Sequence, residues 1–313
     1  GMQILAAILL DSLFGDPNGV PHPVVAVGRV ISFWEERFYA AKGKARGIFF
    51  CATVLCTTAA AVSAILSAAE FVNEYLYHTV NIYMLYTAIA FRSLRDESMP
   101  VYTALTEGSL TDARKFLSYI VGRDTARLDE KGIVRATVET IAESYIDGVV
   151  SVIFYMVLGS LAGSAAAAAW IYKAANTMDS MVGYDNERYH DFGWAAAKFD
   201  DLMNFIPARI GALIAIAAGG LAGYDGSNGL RVFLRDRRNH KSPNSAHAES
   251  AYAGLLHISL GGGAFYDGEF EARPWLGDND RGPEANDILR AHKILTYSVA
   301  LCAVIIFAAG RTL

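Results

Sequence analysis

Residues 48–69 read IFFCATVLCTTAAAVSAILSAA and contain no charged side chain. A helix needs about 20 apolar residues to cross the hydrocarbon core of a bilayer, and this stretch has 22. Lys42, Lys44 and Arg46 come directly before it, and lysine and arginine are enriched in cytoplasmic loops. The stretch therefore predicts a transmembrane helix that begins on the cytoplasmic side.

Four further apolar segments carry at most one charged side chain each, and they cover residues 75–91, 148–172, 205–224 and 294–310. Hydrophobic residues make up 53% of the chain and charged residues only 19%, against about 25% charged in soluble proteins. This composition disfavours the alternative, a soluble protein with a large buried core. Glycines interrupt 148–172 and 205–224, and irregular backbone at membrane depth is tolerated where it lines a protein cavity.

These observations predict an all-α, polytopic integral membrane protein with four to five membrane segments, some of them broken or re-entrant. We expect a single membrane-embedded domain, 1–313, whose polar loops form one active-site cavity. The net charge is −5 and there is no basic stripe, which argues against a nucleic-acid partner. The three cysteines lie in apolar runs without a C-x-x-C pair, so neither a zinc site nor a disulfide framework is expected.

The basic residues also set the expected orientation in the cell membrane. Residues 92–147 carry eight lysines and arginines and are therefore predicted to be cytoplasmic. Simple alternation of the segments would place residues 173–204 outside. The alternative, in which a broken segment returns them to the cytoplasm, is favoured because it groups the polar clusters on one side. We expect the active site on the cytoplasmic side.

An acidic stripe has the clearest spacing in the chain. Glu139, Glu143 and Asp147 lie at positions i, i+4 and i+8, which is one face of a helix. The stripe runs into the apolar segment at Gly148, and carboxylates at a membrane boundary are costly and usually functional. A catalytic or magnesium-binding role is favoured over the alternative of a solvated helix face.

The other polar clusters combine carboxylates with cations, amides and hydroxyls. The first is a stiff loop rich in proline and glycine, with Asp11, Asp16 and His22 as its titratable groups. The others contain Arg123, Asp124 and Thr125; Lys173, Asn176, Thr177, Asp179 and Ser180; Asp200, Asp201 and Arg209; and Arg237, Ser242 and Asn244. Helix caps, interfacial lysines and ordinary hairpin loops are the alternatives. No Walker A motif occurs, and no G-x-G-x-x-G follows a strand, so a nucleotide site cannot be placed.

Seven strings in this order closely resemble the cobinamide-phosphate synthase family of cobalamin biosynthesis proteins (CobD/CbiB). They are DSLFGDPNGVPHPV (11–24), GRDT (122–125), VETIAESYIDGVV (138–150), KAANTMDSMVGY (173–184), DDLMNFIPAR (200–209), SPNS (242–245) and LGG (260–262). Ser144 stands where the family usually has asparagine. Ser151-Val152 and Ser245-Ala246-His247 also depart from its pattern.

The resemblance implies an enzyme that joins adenosylcobyric acid to (R)-1-aminopropan-2-ol phosphate, or to aminopropanol, through an amide bond. ATP and Mg²⁺ would activate the corrinoid carboxylate, and the product would be adenosylcobinamide phosphate; no tightly bound cofactor is implied. The expected partners are the corrinoid, the aminoalcohol phosphate, membrane lipid and other late enzymes of the pathway.

The chemistry of that reaction suggests a role for each polar cluster. We expect catalysis from Glu139, Glu143, Asp147 and His22, and metal binding from Asp16, Asp179, Asp200 and Asp201. We expect substrate and phosphate binding from Arg123, Asp124, Thr125, Lys173, Asn176, Thr177, Ser180, Arg209, Arg237, Ser242 and Asn244.

Three rival functions remain open at this point. A corrinoid transporter predicts an internal repeat, but none is visible between residues 48–147 and 148–310. A membrane scaffold without chemistry of its own predicts polar clusters that tolerate alanine. A phosphatidyltransferase would match Asp147-Gly148, but its further aspartate spacings are absent.

Overall fold

The computed structural model describes residues 1–16, 19, 22–39, 43–266 and 268–310. Pro17 and Pro21 of the first polar loop lie outside the described residues. So do Lys42, which precedes the first apolar segment, and Asp267, which follows Tyr266.

Helices make up 73% of the described residues, so the prediction of an all-α polytopic membrane protein is confirmed. The α-helices are α1 (Met2–Phe14), α2 (Pro23–Phe38), α3 (Lys44–Val72), α4 (Glu74–Tyr86), α5 (Phe91–Thr106), α6 (Leu110–Ser118), α7 (Glu130–Tyr145), α8 (Ser151–Leu161), α9 (Ala165–Val182), α10 (Trp194–Met203), α11 (Phe205–Leu221), α12 (Gly226–Asp236), α13 (Ser245–Leu256) and α14 (Asn286–Ala309). A π-helix, Ile146–Val150, joins α7 to α8.

Four short strands lie between α13 and α14. They are β1 (Leu260–Gly261), β2 (Ala264–Tyr266), β3 (Glu269–Glu271) and β4 (Trp275–Leu276). β1 pairs with β4 and β2 pairs with β3, both antiparallel. This segment, which the sequence indicated only as a loop, is therefore a pair of small hairpin-like sheets.

The chain divides into two compact units where the sequence predicted a single domain. Unit 1 contains residues 1–90, 147–204 and 306–313, and unit 2 contains residues 91–146 and 205–305. In unit 1, α3 packs against α2, α4, α9 and α10, and α1 packs against α4. In unit 2, α13 packs against α7, α11 and α12, and its residues 246–256 are all buried.

Three continuous helices are long and apolar enough to cross a membrane, and a bent pair is a fourth candidate. The three are Lys44–Val72, Glu130–Leu161 and Asn286–Ala309. The bent pair consists of α10 and α11, which meet at 45°. Lys44–Val72 contains the whole predicted segment 48–69, and Asn286–Ala309 contains residues 294–309 of the predicted segment 294–310. The bend between α10 and α11 lies just before the predicted segment 205–224.

The predicted segment 75–91 is not a single helix. α4 ends at Tyr86 after 13 residues, a length of about 20 Å, which is shorter than the roughly 30 Å hydrocarbon core. The chain then turns, and the Ala90 amide donates to the Gly148 carbonyl at 3.0 Å. This tyrosine-rich segment is instead packed against α1 and α3.

The predicted segment 148–172 is also broken, and its two parts form a helical hairpin. Three residues, 162–164, connect α8 to α9, and the Ser164 side chain caps α9 by accepting from the Ala167 amide at 3.2 Å. A β-carbon at Gly159 would lie only 2.5 Å from that of Ala168, so the glycine permits the close approach of the helices. Two helices joined so tightly run antiparallel, and α9 therefore returns along α8.

The π-helix changes the predicted acidic stripe. Glu139 and Glu143 lie on α7, but Asp147 falls in the Ile146–Val150 segment, where the backbone no longer follows the spacing of an α-helix. The regular stripe thus ends at Glu143, and Asp147 belongs to unit 1 with α8 and α9.

Gly47 is a point of close approach in unit 1. A β-carbon there would lie 2.1 Å from the Phe192 backbone oxygen, a distance that the backbone of α3 or of residues 183–193 would have to relieve. Gly28 of α2 is a matched helical glycine, since its β-carbon would lie 3.9 Å from the nearest atom, Met181 Sδ.

We expect Gly47→Ala to lower the free energy of unfolding by about 1–3 kcal/mol, the usual cost of overpacking. Gly28→Ala should change it by no more than about 1 kcal/mol, in the stabilising direction, because alanine favours helix. Thermal unfolding of the purified protein in detergent measures both. Equal unfolding temperatures for the two variants would contradict the assignment of Gly47 as a packing constraint.

Candidate functional site

A buried ion pair lies at the centre of the polar groups in unit 2. The Arg123 guanidinium donates to Glu139 Oε2 at 2.6 Å, and the side chains are only 15% and 5% exposed. The other carboxylate oxygen, Oε1, accepts the Gly261 amide at 2.6 Å. Burial opposes the charge of Arg123, but the negative Glu139 beside it prevails and raises its pKa. Both oxygens of Glu139 are therefore engaged.

Glu249 is a second buried carboxyl group beside this pair. It lies on the fully buried part of α13 and is 6% exposed. Burial raises its pKa well above the ordinary value, the negative Glu139 and Glu143 raise it further, and Arg123 and Arg273 oppose the shift. Glu249 therefore keeps its proton to a higher pH than an exposed glutamate does, and while protonated it can donate a hydrogen bond, which an ionised carboxylate cannot do.

These groups line a small cavity together with the glycine-rich turn after β1. We call it the Glu249 cavity, and its wall consists of Arg123, Glu139, His240, Glu249, Gly261, Gly263, Arg273, Pro274 and Leu276. His240 Nδ1 accepts the Ser242 amide at 3.0 Å. Burial and the positive Arg273 lower the pKa of His240 to about 4. The cavity thus combines two fixed cations with a neutral imidazole and with a carboxyl group whose pKa is raised.

Glu143, which was predicted to be catalytic, and several residues predicted to bind substrate lie elsewhere in unit 2. Glu143 is exposed, and its carboxylate accepts the Ser245 hydroxyl at 3.3 Å. Arg209 lies over the Phe205 ring and donates to Asn244 Oδ1 at 3.4 Å. Two more take part in local contacts: Arg237 lies over Phe233, and Ser242 accepts the Asn244 amide.

Asp124 and Thr125 hold the local backbone together. Asp124 Oδ2 accepts the Gly268 amide at 2.8 Å, and its own amide donates to the Phe265 carbonyl at 2.8 Å. The Thr125 hydroxyl donates to the Arg114 carbonyl at 3.0 Å. Both side chains thus attach the GRDT turn to its neighbours, and Arg123 is the member of this string that faces the Glu249 cavity.

Lys173 is the main cation among the polar groups of unit 1. Its ammonium group lies in a region where burial lowers its pKa, while the negative Asp147, Asp16 and Asp11 oppose the shift. Asp11 is itself fully buried. The structure therefore brings Lys173 together with the aspartates of the first polar loop and of the π-helix, which the sequence alone could not pair.

His22 acts as the N-cap of α2. Its Nδ1 accepts the Val24 amide at 3.2 Å. Its Nε2 lies 3.2 Å from Asp16 Oδ1 but forms no hydrogen bond with the described residues. The geometry supports a positioning role for His22 as a helix cap, and its role as a catalytic base stays a prediction.

Asp200 and Asn204 anchor a hydrogen-bond network in unit 1. The Asp200 carboxylate accepts from Asn176 at 3.3 Å and from Asn204 at 3.0 Å. The Asn204 carbonyl oxygen in turn accepts the hydroxyls of Ser151 at 2.6 Å and Tyr172 at 2.9 Å. Asn176 thus faces this network.

Thr177 and Ser180 instead donate to carbonyls of their own helix. Because these bonds satisfy their hydroxyl groups locally, neither residue is held toward the network by a contact of its own.

The four aspartates that we predicted as metal ligands do not form one site. Among the described residues, no group of three histidine, cysteine, aspartate or glutamate side chains converges closely enough to hold a metal ion. Asp201 pairs with Lys198 at 3.1 Å, whereas Asp200 faces Asn176 and Asn204. Asp16 lies beside His22, and Asp179 lies against Gly183, whose β-carbon would come within 1.9 Å of Asp179 Oδ1.

Three titratable residues of the Glu249 cavity, Glu249, His240 and Arg273, were not among the predicted site residues. Glu249 carried a usable signal, because a single carboxylate stands within the small apolar helix SAHAESAYAGLL. His240 was visible only as part of a loop. Arg273 had no signal, since it reaches the cavity through the β2–β3 and β1–β4 pairings, which bring distant residues together.

The raised pKa of Glu249 predicts a specific dependence of stability on pH. The folded state retains a proton that the unfolded state loses above about pH 4.5. Stability should therefore fall as the pH rises from 4.5 toward the folded-state pKa, by up to about 1.4 kcal/mol per pH unit. Glu249→Gln should remove this contribution and give an unfolding temperature that falls less between pH 5 and 8.

Glu107→Gln, at an exposed position, is the matched control and should behave like the parent. Thermal unfolding in detergent across that pH range measures all three proteins. Parallel curves for the parent and Glu249→Gln would show that Glu249 is ionised in the folded state.

The chain is similar to known proteins over most of its length. The sequence model of the family described as CobD/Cbib protein matches residues 4–295. The cobalamin biosynthesis protein CobD of Geobacter metallireducens is 44% identical over 280 residues, which cover 89% of this chain and 86% of that protein. CobD of Clostridium perfringens is 39% identical over 94% of this chain and 93% of its own length.

The cobalamin biosynthesis protein CbiB of Salmonella typhi is 40% identical over 319 residues, which cover 99% of this chain and 98% of that protein. No solved structure matches the chain significantly. The identity and coverage of these relatives, together with the family match over most of the chain, show that the chain belongs to the CobD/CbiB family.

Proposed function

We propose that the protein acts in cobalamin biosynthesis as an adenosylcobinamide-phosphate synthase. It joins the propionate carboxylate of adenosylcobyric acid to the amine of (R)-1-aminopropan-2-ol phosphate, or of aminopropanol, at the expense of ATP. The names of its relatives, cobalamin biosynthesis proteins CobD and CbiB, support the pathway. The observation that supports chemistry rather than a passive scaffold is the Glu249 cavity, where two arginines lie beside two glutamates, one of which, Glu249, has a pKa raised by burial.

The reaction requires activation because a carboxylate is a poor electrophile. A carboxylate oxygen attacks the γ-phosphorus of ATP, the bond to ADP breaks, and an acyl phosphate forms. The amine then attacks the acyl carbon, inorganic phosphate leaves, and the proton of the amine passes to a base. Since each step depends on orientation and on charge stabilisation, fixed cations and positioned carboxylates are the groups that the protein must supply.

The groups of unit 2 suit the stabilisation of anions. Arg123 and Arg273 are cations at the Glu249 cavity, and the neutral Glu249 can donate a hydrogen bond to an oxyanion. Glu139 holds Arg123 and the Gly261 amide in position and has no free oxygen for proton transfer. Glu143 is the better proton acceptor, because it is exposed and receives one hydrogen bond, from Ser245.

The groups of unit 1 suit recognition of a charged substrate. Lys173 is a cation next to Asp147, Asp16 and Asp11. Its ammonium group would bind the phosphate of an aminoalcohol phosphate, and the carboxylates would bind the amine at the other end. Magnesium enters this proposal as the Mg–ATP complex, a substrate, and no step is assigned to a protein-bound metal ion. The single active-site cavity stays a prediction.

Incubation of membranes containing the protein with adenosylcobyric acid, aminopropanol phosphate and Mg–ATP should yield adenosylcobinamide phosphate and an equivalent of ADP. Glu143→Ala should lower the rate at least about 100-fold, the usual contribution of a general base. Glu107→Ala, an exposed carboxylate on the same unit, should leave the rate unchanged. Mass spectrometry of the corrinoid products and an ADP assay measure the reaction. A scaffold or transporter would give no product, and full activity of Glu143→Ala would remove Glu143 from the mechanism.

We propose that residues 173–204 face the cytoplasm, as residues 92–147 are expected to do, because ATP and the corrinoid are cytoplasmic. The α8–α9 hairpin supports this placement, since the Tyr172 hydroxyl at its returning end donates to the Asp147 carbonyl at 3.1 Å. Of the three cysteines only Cys56 is exposed, so Cys56→Ser provides a suitable background for labelling.

In that background, Glu187→Cys and Glu107→Cys should react with an impermeant maleimide only after cells are permeabilised. Glu70→Cys, in the link predicted to lie outside, should react in intact cells. All three positions are exposed. Labelling of Glu187→Cys in intact cells would place residues 173–204 outside and contradict the proposal.

A further inference from the structure

A second cavity in unit 2, with a volume of about 290 Å³, is lined by an unusual number of cations. Arg123, Arg127 and Arg135 all reach its wall, together with Asp129 and the glycines at positions 261 and 263. We call it the arginine cavity. It adjoins the Glu249 cavity, with which it shares Arg123 and the two glycines.

The charges of this cavity are not balanced within the described part of the chain. Arg123 is paired with Glu139. The Asp129 carboxylate caps α7 by accepting the Gly132 amide at 2.8 Å. Among residues 1–16, 19, 22–39, 43–266 and 268–310, neither Arg127 nor Arg135 forms an ion pair. Two guanidinium groups that face one concave space repel each other unless an anion lies between them.

Arg135 also has a donor without an acceptor. Its guanidinium carbon lies 4.8 Å from the centre of the Trp275 ring, and one terminal nitrogen donates to the Gly261 carbonyl at 3.4 Å, a long hydrogen bond. Its Nε is buried and has no hydrogen-bond partner among the described residues. Because an unsatisfied buried donor is costly, the side chain is held in a position that an external acceptor would stabilise.

The backbone around the cavity is suited to an anion as well. Gly261, Gly262 and Gly263 have φ angles of 84°, 80° and 105°, which side chains other than glycine rarely adopt. A β-carbon at Gly262 would lie 2.3 Å from the Trp275 ring, so the glycine lets the turn close over the ring that supports Arg135. The N-terminal turn of α7, which contributes Gly132 to the wall, adds the positive end of a helix dipole.

We propose that the arginine cavity binds a phosphoryl group through the guanidinium groups of Arg127 and Arg135. Guanidinium groups bind phosphate with two parallel hydrogen bonds, and the volume is near the lower limit of small-molecule sites, about 300 Å³. It suits one phosphorylated end of a substrate rather than a whole corrinoid. The identity of that substrate, aminoalcohol phosphate or nucleotide, rests on the proposed function, whereas phosphoryl binding itself does not.

The first test measures binding of inorganic phosphate to the full-length protein in detergent, by calorimetry at constant ionic strength. Arg127→Gln and Arg135→Gln should each raise the dissociation constant for phosphate at least about tenfold, as expected for loss of a charge-assisted hydrogen bond. Arg95→Gln removes an exposed arginine of α5 in the same unit, and it should bind phosphate as the parent does.

Arg135→Lys separates the two roles that Arg135 can have. Lysine retains the charge but not the planar fork, so phosphate binding should lie between those of the parent and Arg135→Gln. If Arg135→Gln lowers the unfolding temperature but binds phosphate like the parent, Arg135 only stabilises the fold and the proposal is overturned. Absence of phosphate binding by the parent protein would overturn it as well.

The second test identifies the source of the phosphoryl group in the ligation assay. A rise of about tenfold or more in the Michaelis constant for aminopropanol phosphate alone assigns the cavity to the aminoalcohol. The same rise for ATP alone assigns it to the nucleotide. If the parent makes amide product and neither constant changes in Arg127→Gln and Arg135→Gln, the cavity does not bind a substrate phosphate. If the parent makes no product, the proposed function fails while the phosphate titration still decides the present proposal.

Discussion

The ionised carboxylate of Glu139 is the group around which unit 2 is organised. A charge that is 4% exposed is stable only if its oxygens are paired, because desolvation of an unpaired ion costs several kcal/mol. Arg123 satisfies one oxygen and the Gly261 amide the other. These two bonds tie together the GRDT turn, α7 and the glycine-rich turn, and they join residues 16 and 122 positions apart in sequence.

Burial is the main cause of the shifted protonation of the neighbouring groups, and nearby charges add to it. Burial raises the pKa of Glu249, and the negative Glu139 and Glu143 raise it further. Burial and the positive Arg273 lower the pKa of His240 to about 4. Burial and the surrounding charges together favour the neutral forms of both groups before any substrate is bound.

The sequence predicted the helical class, the long apolar helices and most polar clusters, because composition and apolar length are local properties. Glycines in the sequence also predicted that segment 148–172 is broken, and the structure shows this break at residues 162–164. The early end of α4 at Tyr86 was not predicted, because segment 75–91 carries no glycine or proline that would mark it. The sequence placed Asp147 on the acidic stripe because regular helical spacing does not reveal a π-helix. The glycines at 261–263 were noted as a loop, but their role requires Trp275 and Arg135, which only the folded chain brings to them.

The hairpin of α8 and α9 explains how polar residues follow so closely on an apolar segment. Ala165–Ala169 forms helix readily, but Lys173, Asn176 and Asp179 would be costly in hydrocarbon. If residues 148–172 formed a single span, these residues would lie at the opposite surface of the membrane from Asp147. The break at residues 162–164, permitted by the close contact of Gly159 with Ala168, instead returns the chain to the level of Asp147. There the ammonium of Lys173 lies near three carboxylates. The small residues Gly159 and Ala168 therefore allow α9 to fold back along α8. The polar residues at the end of α9 favour this arrangement, because it keeps them out of the hydrocarbon.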